Sequence, residues 1–228
     1  MPPPSASPAE RPGSRAGAAA TRERLLEAGR AAFSARGHDA TNLREHIRAP
    51  AHVSVGSFHH HYRDKTELLL DILGEHAHAF RDRLSDAHRP EPGRTLDEIA
   101  YRSYSVMFDI AQESESVLRI WMHERQSSNP RLRQFLADDR QQWVDALSAD
   151  YQRVGEVLSH DVSSTLLAQL IHSLAIETAF RWLEFPTSER PEERERLLDG
   201  LARFTLGGIA ALSGPGALPA PQKTTNEG

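Results

Sequence analysis

The chain has 228 residues, 39% of them hydrophobic, enough to bury a substantial core. It has no cysteine, which excludes disulfides and thiolate metal sites. The formal charge of −5 argues against nucleic acid when taken whole, but residues 1–65 carry ten Lys/Arg against six Asp/Glu and residues 66–228 seventeen against twenty-six. The basic excess, with six of the twelve histidines, sits in the first 65 residues, and phosphate attraction depends on the local field.

Residues 1–20 are rich in Pro, Ser, Gly and Ala and are expected to form a disordered tail. They contain no apolar core of a signal peptide. Arg11 and Arg15 are the cations with which such a tail would reach a minor groove, although a plain tail is the favoured reading. A first helix is predicted from about Thr21 to Arg36, with the stripe Leu25, Ala28, Ala32 and Phe33. Thr21 caps it only weakly, since Arg24 stands where a capping box needs a carboxylate. Gly37 fits the position that ends it, and Thr41 reads as the N-cap of a second helix through Leu43, Arg44, Ile47 and Arg48. Pro50 has no N–H, so that helix should stop at about Arg48 or Ala49.

A third helix opens at Ser54, its expected N-cap. Phe58 and Tyr62, four residues apart, share its buried side, while Val55, Ser57, His59 and His60 lie opposite. Two short helices joined by a tight turn, the second with a polar outer face, describe a helix-turn-helix whose second helix enters the DNA major groove. Gly56 costs a helix about 1 kcal/mol against alanine, which suggests a purpose at that position. His59, His60 and His61 are about 100° apart around a helix and cannot converge on one metal ion.

The stretch VSVGSFHHHYRDKTELL resembles the end of the DNA-binding domain of TetR-type transcriptional regulators. Val53, Ser54, Gly56, Ser57, Phe58, Tyr62, Lys65 and Leu68 fall on that family's pattern, and TRERLLEAGRAAFSARGHDAT resembles its first helix. The detailed resemblance covers about residues 21–75. It implies DNA contacts from Thr41, Ser54, Val55, Gly56, Ser57, His59, His60 and Lys65, with Lys65 against a phosphate and His61 turned towards the domain. Val55 stands where the family often has lysine, and a thymine methyl is its apolar partner. The segment between Thr41 and Ser54 is one residue longer than the family's, which predicts a slightly longer turn.

Further helices are predicted at about 66–87, 95–112, 114–127, 130–158, 161–184 and 191–212, with a loop at His88–Gly93 and a second disordered tail at 213–228. The fold class is all-α: an N-terminal three-helix helix-turn-helix domain over 21–75 and a C-terminal helical domain over 76–212 for ligand binding and dimerisation. The last two helices are apolar on more than one face, through Leu166, Leu170 and Leu174 on one and Leu201, Phe204 and Ile209 on the other. The resemblance implies that they pair with a second subunit, giving a homodimer suited to a palindromic operator in double-stranded DNA. It also implies a small-molecule effector, for which Tyr104, Met107, Phe108, Trp121, Met122, His123, Trp143, His172 and Phe180 are the candidate lining. A repressor of cytoplasmic location, without a cofactor, is the expectation.

Two other readings fit the residues poorly. The longest apolar stretch, Leu166–Phe180, is interrupted by Gln169, His172 and Glu177 and is too short and polar to span a bilayer. Glu75 and His78 form one Glu-x-x-His, but a di-iron carboxylate bundle needs two such motifs and two further glutamates. No nucleophile, base and acid stand together for hydrolysis.

Overall fold

The computed structural model describes residues 12–89, 93–153 and 163–213, and every regular element among them is helical. Helix α1 spans Pro12–Ala40 and begins nine residues before the expected start. Pro12 suits the first helical position, and Ala16, Ala18, Ala19 and Ala20 have the best helix propensity of any residue, so local preference outweighs the shortage of large apolar groups. Thr21 therefore lies inside the helix, its hydroxyl donating to the carbonyl of Gly17 at 2.9 Å, and is not a cap. Gly37, at φ 71° and ψ 175°, breaks the helix as its position in the sequence suggests. Residues 1–11, with Arg11, and the second tail from residue 214 lie outside the described residues.

The second helix is a π-helical segment, Leu43–Arg48. The Ala49 N–H reaches the Arg44 carbonyl, five residues back, at 3.0 Å. The extra residue is thus taken up as a widened helical turn, in place of the expected longer connecting turn. Its N-cap is Asn42, whose side-chain oxygen accepts the N–H groups of Arg44 at 2.9 Å and Glu45 at 3.2 Å. Thr41, the expected cap, is buried and donates its hydroxyl to the Gly37 carbonyl at 2.6 Å. The segment does end at Arg48, and Pro50 follows in the turn. His52 then carries a left-handed φ of 54°, a conformation that L-residues adopt at a cost.

Helices α2 (Val55–His61), α3 (Lys65–His88), α4 (Leu96–Glu113), α5 (Glu115–Glu124), α6 (Pro130–Arg153), α7 (Ser164–Glu184) and α8 (Arg190–Ser213) complete the described chain. Ser54 caps α2 as expected, accepting the Ser57 N–H at 3.1 Å. Thr95 and Glu98 form a full capping box on α4. The expected helix over 154–158 and its Val154, the start of the next helix with Val162, and part of the His88–Gly93 loop fall outside the described residues.

The chain forms two compact units. The first takes residues up to His76 together with Ser116–Arg133, a stretch that the sequence pattern groups with the C-terminal helices. Its core holds Leu25, Phe33, Ile47, Phe58, Leu68 and Leu73, all fully buried. Helices α1 and α3 approach closely at Gly29, where a Cβ would stand 2.9 Å from Ile72 Cδ1. The Glu124 carboxylate accepts the His38 N–H at 2.6 Å, and Arg131 pairs with Asp64 at 2.8 Å, so the later segment is bonded into this unit.

The second unit takes Ala77–Glu115 and residues from Gln134 onward. Helix α8 packs on α4 and α7. Phe108 meets Trp182 edge to face at 5.2 Å. Arg190 closes the α7–α8 turn with two bonds to Glu115, at 2.7 and 3.2 Å, and lies over the Trp182 ring. Among the described residues, no helix is long and apolar enough to cross a membrane.

Candidate functional site

The first candidate surface is the outer face of α2. Phe58 is fully buried and Tyr62 nearly so, its hydroxyl donating to Asp71 at 2.7 Å. Burial and that carboxylate raise the Tyr62 pKa, so the phenol stays neutral and keeps donating. Asp71 also accepts from Arg22, which bridges on to Glu75 at 2.6 Å. These contacts fix the rotation of α2, and that rotation leaves Val55 (52% exposed), Gly56, His59 and His60 facing outward. Ser57 is half-buried, and Ser54 is exposed while it caps the helix. Burial lowers the pKa of His61, which is half-buried as the resemblance implies.

Gly56 has no conformational need for glycine, and nothing in the protein lies within 4 Å of the place a Cβ would take. The fold therefore gives no reason for the residue, and the open space beside it faces away from the protein. The three histidines do not gather: the rings of His60 and His61 meet edge on at 5.3 Å, and His59 stands against Phe58 at 5.4 Å. Among the described residues, no group of three His, Cys, Asp or Glu is arranged to hold a metal ion.

Two expected DNA contacts are used inside the protein. Thr41 is buried at the α1 break, as described above. The Lys65 ammonium donates to the carbonyls of His38 at 2.6 Å, Thr41 at 2.8 Å and Asp39 at 3.4 Å. An ammonium has three N–H donors, matching the three carbonyls gathered just after the break at Gly37. Lys65 thus ties the start of α3 to the chain that enters the helix-turn-helix. The exposure of Arg44 makes it a better-placed cation on this unit, and the resemblance leaves its register open.

The second candidate site is a cavity of about 110 Å³ inside the second unit. Helices α3, α4, α6, α7 and α8 all contribute to its wall, which is almost wholly apolar. Tyr104, Met107, Trp143 and His172 line it, as the sequence suggests. At one end Phe80 meets Trp143 edge to face at 4.9 Å, and His172 stacks near parallel to Trp143 at 6.0 Å. Burial, helped by the charge of Arg140, pushes the His172 pKa down to about 4, so the ring is neutral. The Tyr104 and Thr205 hydroxyls are bonded to each other.

Residues 25–72 match the family of bacterial regulatory proteins described as the tetR family. That match places the helix-turn-helix part of the chain, residues 25–72, with TetR-type regulators. Solved structures carry the likeness over most of its length. The fatty acid degradation regulator FadR from Bacillus halodurans is 15% identical with a TM-score of 0.67, the match covering 82% of this chain and 99% of that one. GusR from Salmonella enterica is 21% identical with a TM-score of 0.65, covering 83% and 95%. A TetR-family transcriptional regulator from Streptomyces coelicolor is 19% identical with a TM-score of 0.65, covering 84% and 96%. At these identities the likeness is one of fold. No curated protein matches the chain by sequence.

Over residues 25–72 the chain therefore carries the helix-turn-helix of TetR-type DNA-binding transcriptional regulators. Glu75 and His78, the di-iron alternative, are engaged on the surface of α3, Glu75 by Arg22 and His78 by Asp82 at 3.5 Å. Five of the residues suggested for the effector lie away from the cavity. Phe108 and Phe180 are buried in the core of the second unit. Trp121, Met122 and His123 belong to the first unit, where the His123 ring bonds the Ser34 carbonyl at 3.1 Å. Their aromatic, sulfur or imidazole character suggests a pocket, but that criterion is blind to which side of α5 each one takes. The remaining wall residues, such as Leu84, Leu147 and Ile209, are ordinary aliphatics, and nothing in their sequence context separates them from core.

Proposed function

We propose that the protein is an effector-responsive repressor that binds a palindromic operator as a homodimer. Residues 21–75 make the DNA-binding part and residues 76–212 the effector and dimer part. The observation that carries the DNA reading is the outer face of α2, where Val55, Gly56, His59 and His60 are turned out while Phe58 and Tyr62 anchor the helix. The absence of a side chain at Gly56 permits close approach to a phosphate or sugar, Val55 suits a thymine methyl, and the two imidazoles supply hydrogen bonds.

The dimer reading is supported by three large apolar side chains left exposed on the last two helices: Leu166 at 53%, Leu170 at 56% and Phe204 at 70%. The effector reading is supported by the cavity. A ligand there releases DNA only if it binds better to an arrangement whose recognition helices no longer match the half-site spacing.

Fluorescence anisotropy with DNA from upstream of the protein's own gene tests the assignment of α2. The expected result is preferential binding over a scrambled duplex, two chains per site. Gly56→Ala should stabilise the fold by about 1 kcal/mol, since alanine is the better helix former, and yet weaken specific binding tenfold or more. A Gly56→Ala protein that binds the specific duplex as tightly as wild type removes α2 from the DNA.

A further inference from the structure

The wall of the cavity carries two polar groups with no hydrogen-bond partner among the described residues, the Tyr151 hydroxyl and the His172 imidazole. Of the other polar side chains there, Tyr104 bonds Thr205, Ser103 bonds the Ile99 carbonyl at 2.8 Å, and His88 bonds the Leu84 carbonyl and interacts with Asp150. On an otherwise apolar wall Tyr151 and His172 are the groups left able to bond a ligand that enters the cavity.

Charge narrows the class. No lysine or arginine lines the cavity, whereas Asp150 does, and its carboxylate repels an anion. Arg140 acts on His172 from outside the lining and is itself exposed to solvent, which weakens its hold on a buried anion. A cation is disfavoured by the apolar wall, because an ion stripped of water needs more than one partner. Size and shape narrow it again. A cavity of about 150 Å³ lined by aliphatic and aromatic groups takes benzene, so about 110 Å³ suits a single ring or its equivalent before any expansion. The Trp143 and His172 rings, stacked 24° from parallel, offer a flat face for such a ring.

We infer that the effector is a small, uncharged, ring-bearing molecule with one hydrogen-bonding oxygen, its ring beside Trp143 and its oxygen held by Tyr151 and His172. This rests on the effector-responsive reading above and names the ligand class of that site. The neutral imidazole and the phenol can each donate or accept, so hydroxyl and carbonyl oxygens both fit.

The test uses the full chain and four probes that share one ring: 4-ethylphenol, ethylbenzene, 4-ethylbenzoate and 4-ethylbenzylammonium, titrated calorimetrically at pH 7.5. The expected order places 4-ethylphenol at least tenfold tighter than either ion and severalfold tighter than ethylbenzene. Tyr151→Phe and His172→Gln should each weaken 4-ethylphenol tenfold while moving ethylbenzene less than threefold. A purely structural role would weaken both probes alike. An ion that binds as tightly as the phenol overturns the class, as does binding by none of the four. Release of upstream DNA is scored separately. If 4-ethylphenol binds in the expected order and DNA stays bound, the ligand class stands and the effector-responsive reading fails.

Discussion

At the scale of single residues, the same side chain can satisfy a motif and yet do other work. Lys65 falls on the family pattern, but its ammonium donates to the carbonyls of His38, Asp39 and Thr41. A cation at the end of a helix is also favoured by the helix dipole. Lys65→Met removes the donors and leaves those carbonyls to water, at a cost of about 2 kcal/mol for charge-assisted bonds. The protein should therefore melt earlier. At a temperature where the variant is folded, the slope of log affinity against log salt should match wild type. A lysine that neutralised a phosphate would instead take about 0.9 off that slope when replaced. Equal stability with a shallower slope would return Lys65 to the DNA. The identity of this lysine is legible in the sequence, but its partners are not, because they are backbone carbonyls presented by the break at Gly37, 28 residues earlier.

At the scale of elements, legibility follows how local the determining force is. Ser54 capping α2, Gly37 breaking α1 and Pro50 following the second helix all depend on a residue's own backbone chemistry, and each is readable. The early start of α1 escapes a reading based on burial, because the alanines of the tail act through propensity alone. The π-helical segment escapes for a different reason. The count shows one surplus residue, but whether surplus length enters a turn or a widened helix depends on holding Ile47 in the core, where it is fully buried. Asn42, next to the expected cap, accepts two N–H groups in that segment. Asn42→Ala should cost about 1 kcal/mol in urea unfolding, the usual loss for an N-cap. Ser54→Ala is the matched comparison, since it also removes one N-cap oxygen. A loss at Ser54 with none at Asn42 would show that the π-helical turn does not depend on its cap. The cavity is half legible: its aromatics announce themselves, and its aliphatics become wall only through the packing of five helices.

At the scale of the whole molecule, each unit holds a histidine that burial keeps uncharged. His76 in the first unit and His172 in the second both have pKa values pushed down to about 4. An unfolded histidine takes up its proton near pH 6.5, so below that value the unfolded chain binds protons that the folded chain refuses. Stability is then complete above about pH 6.5 and falls as the pH drops towards 4. His76→Gln should flatten that limb in urea titrations, and an unchanged limb would show that other groups set it. The last test concerns assembly. Leu166 and Leu170 lie one turn apart on α7 and are more than half exposed, as is Phe204 on α8, so none of them holds a core together. Leu174, equally apolar in sequence, is half-buried and makes a poorer probe, because a charge there would injure the fold as well. Leu166→Glu with Leu170→Glu should leave the helical melting curve close to that of wild type. Light scattering should report a dimer for wild type and a monomer for the variant, and affinity for a two-half-site duplex should fall to that of a single half-site. A double variant that still scatters as a dimer would move the subunit contact to another face. One that is monomeric but keeps full operator affinity would separate assembly from DNA reading altogether.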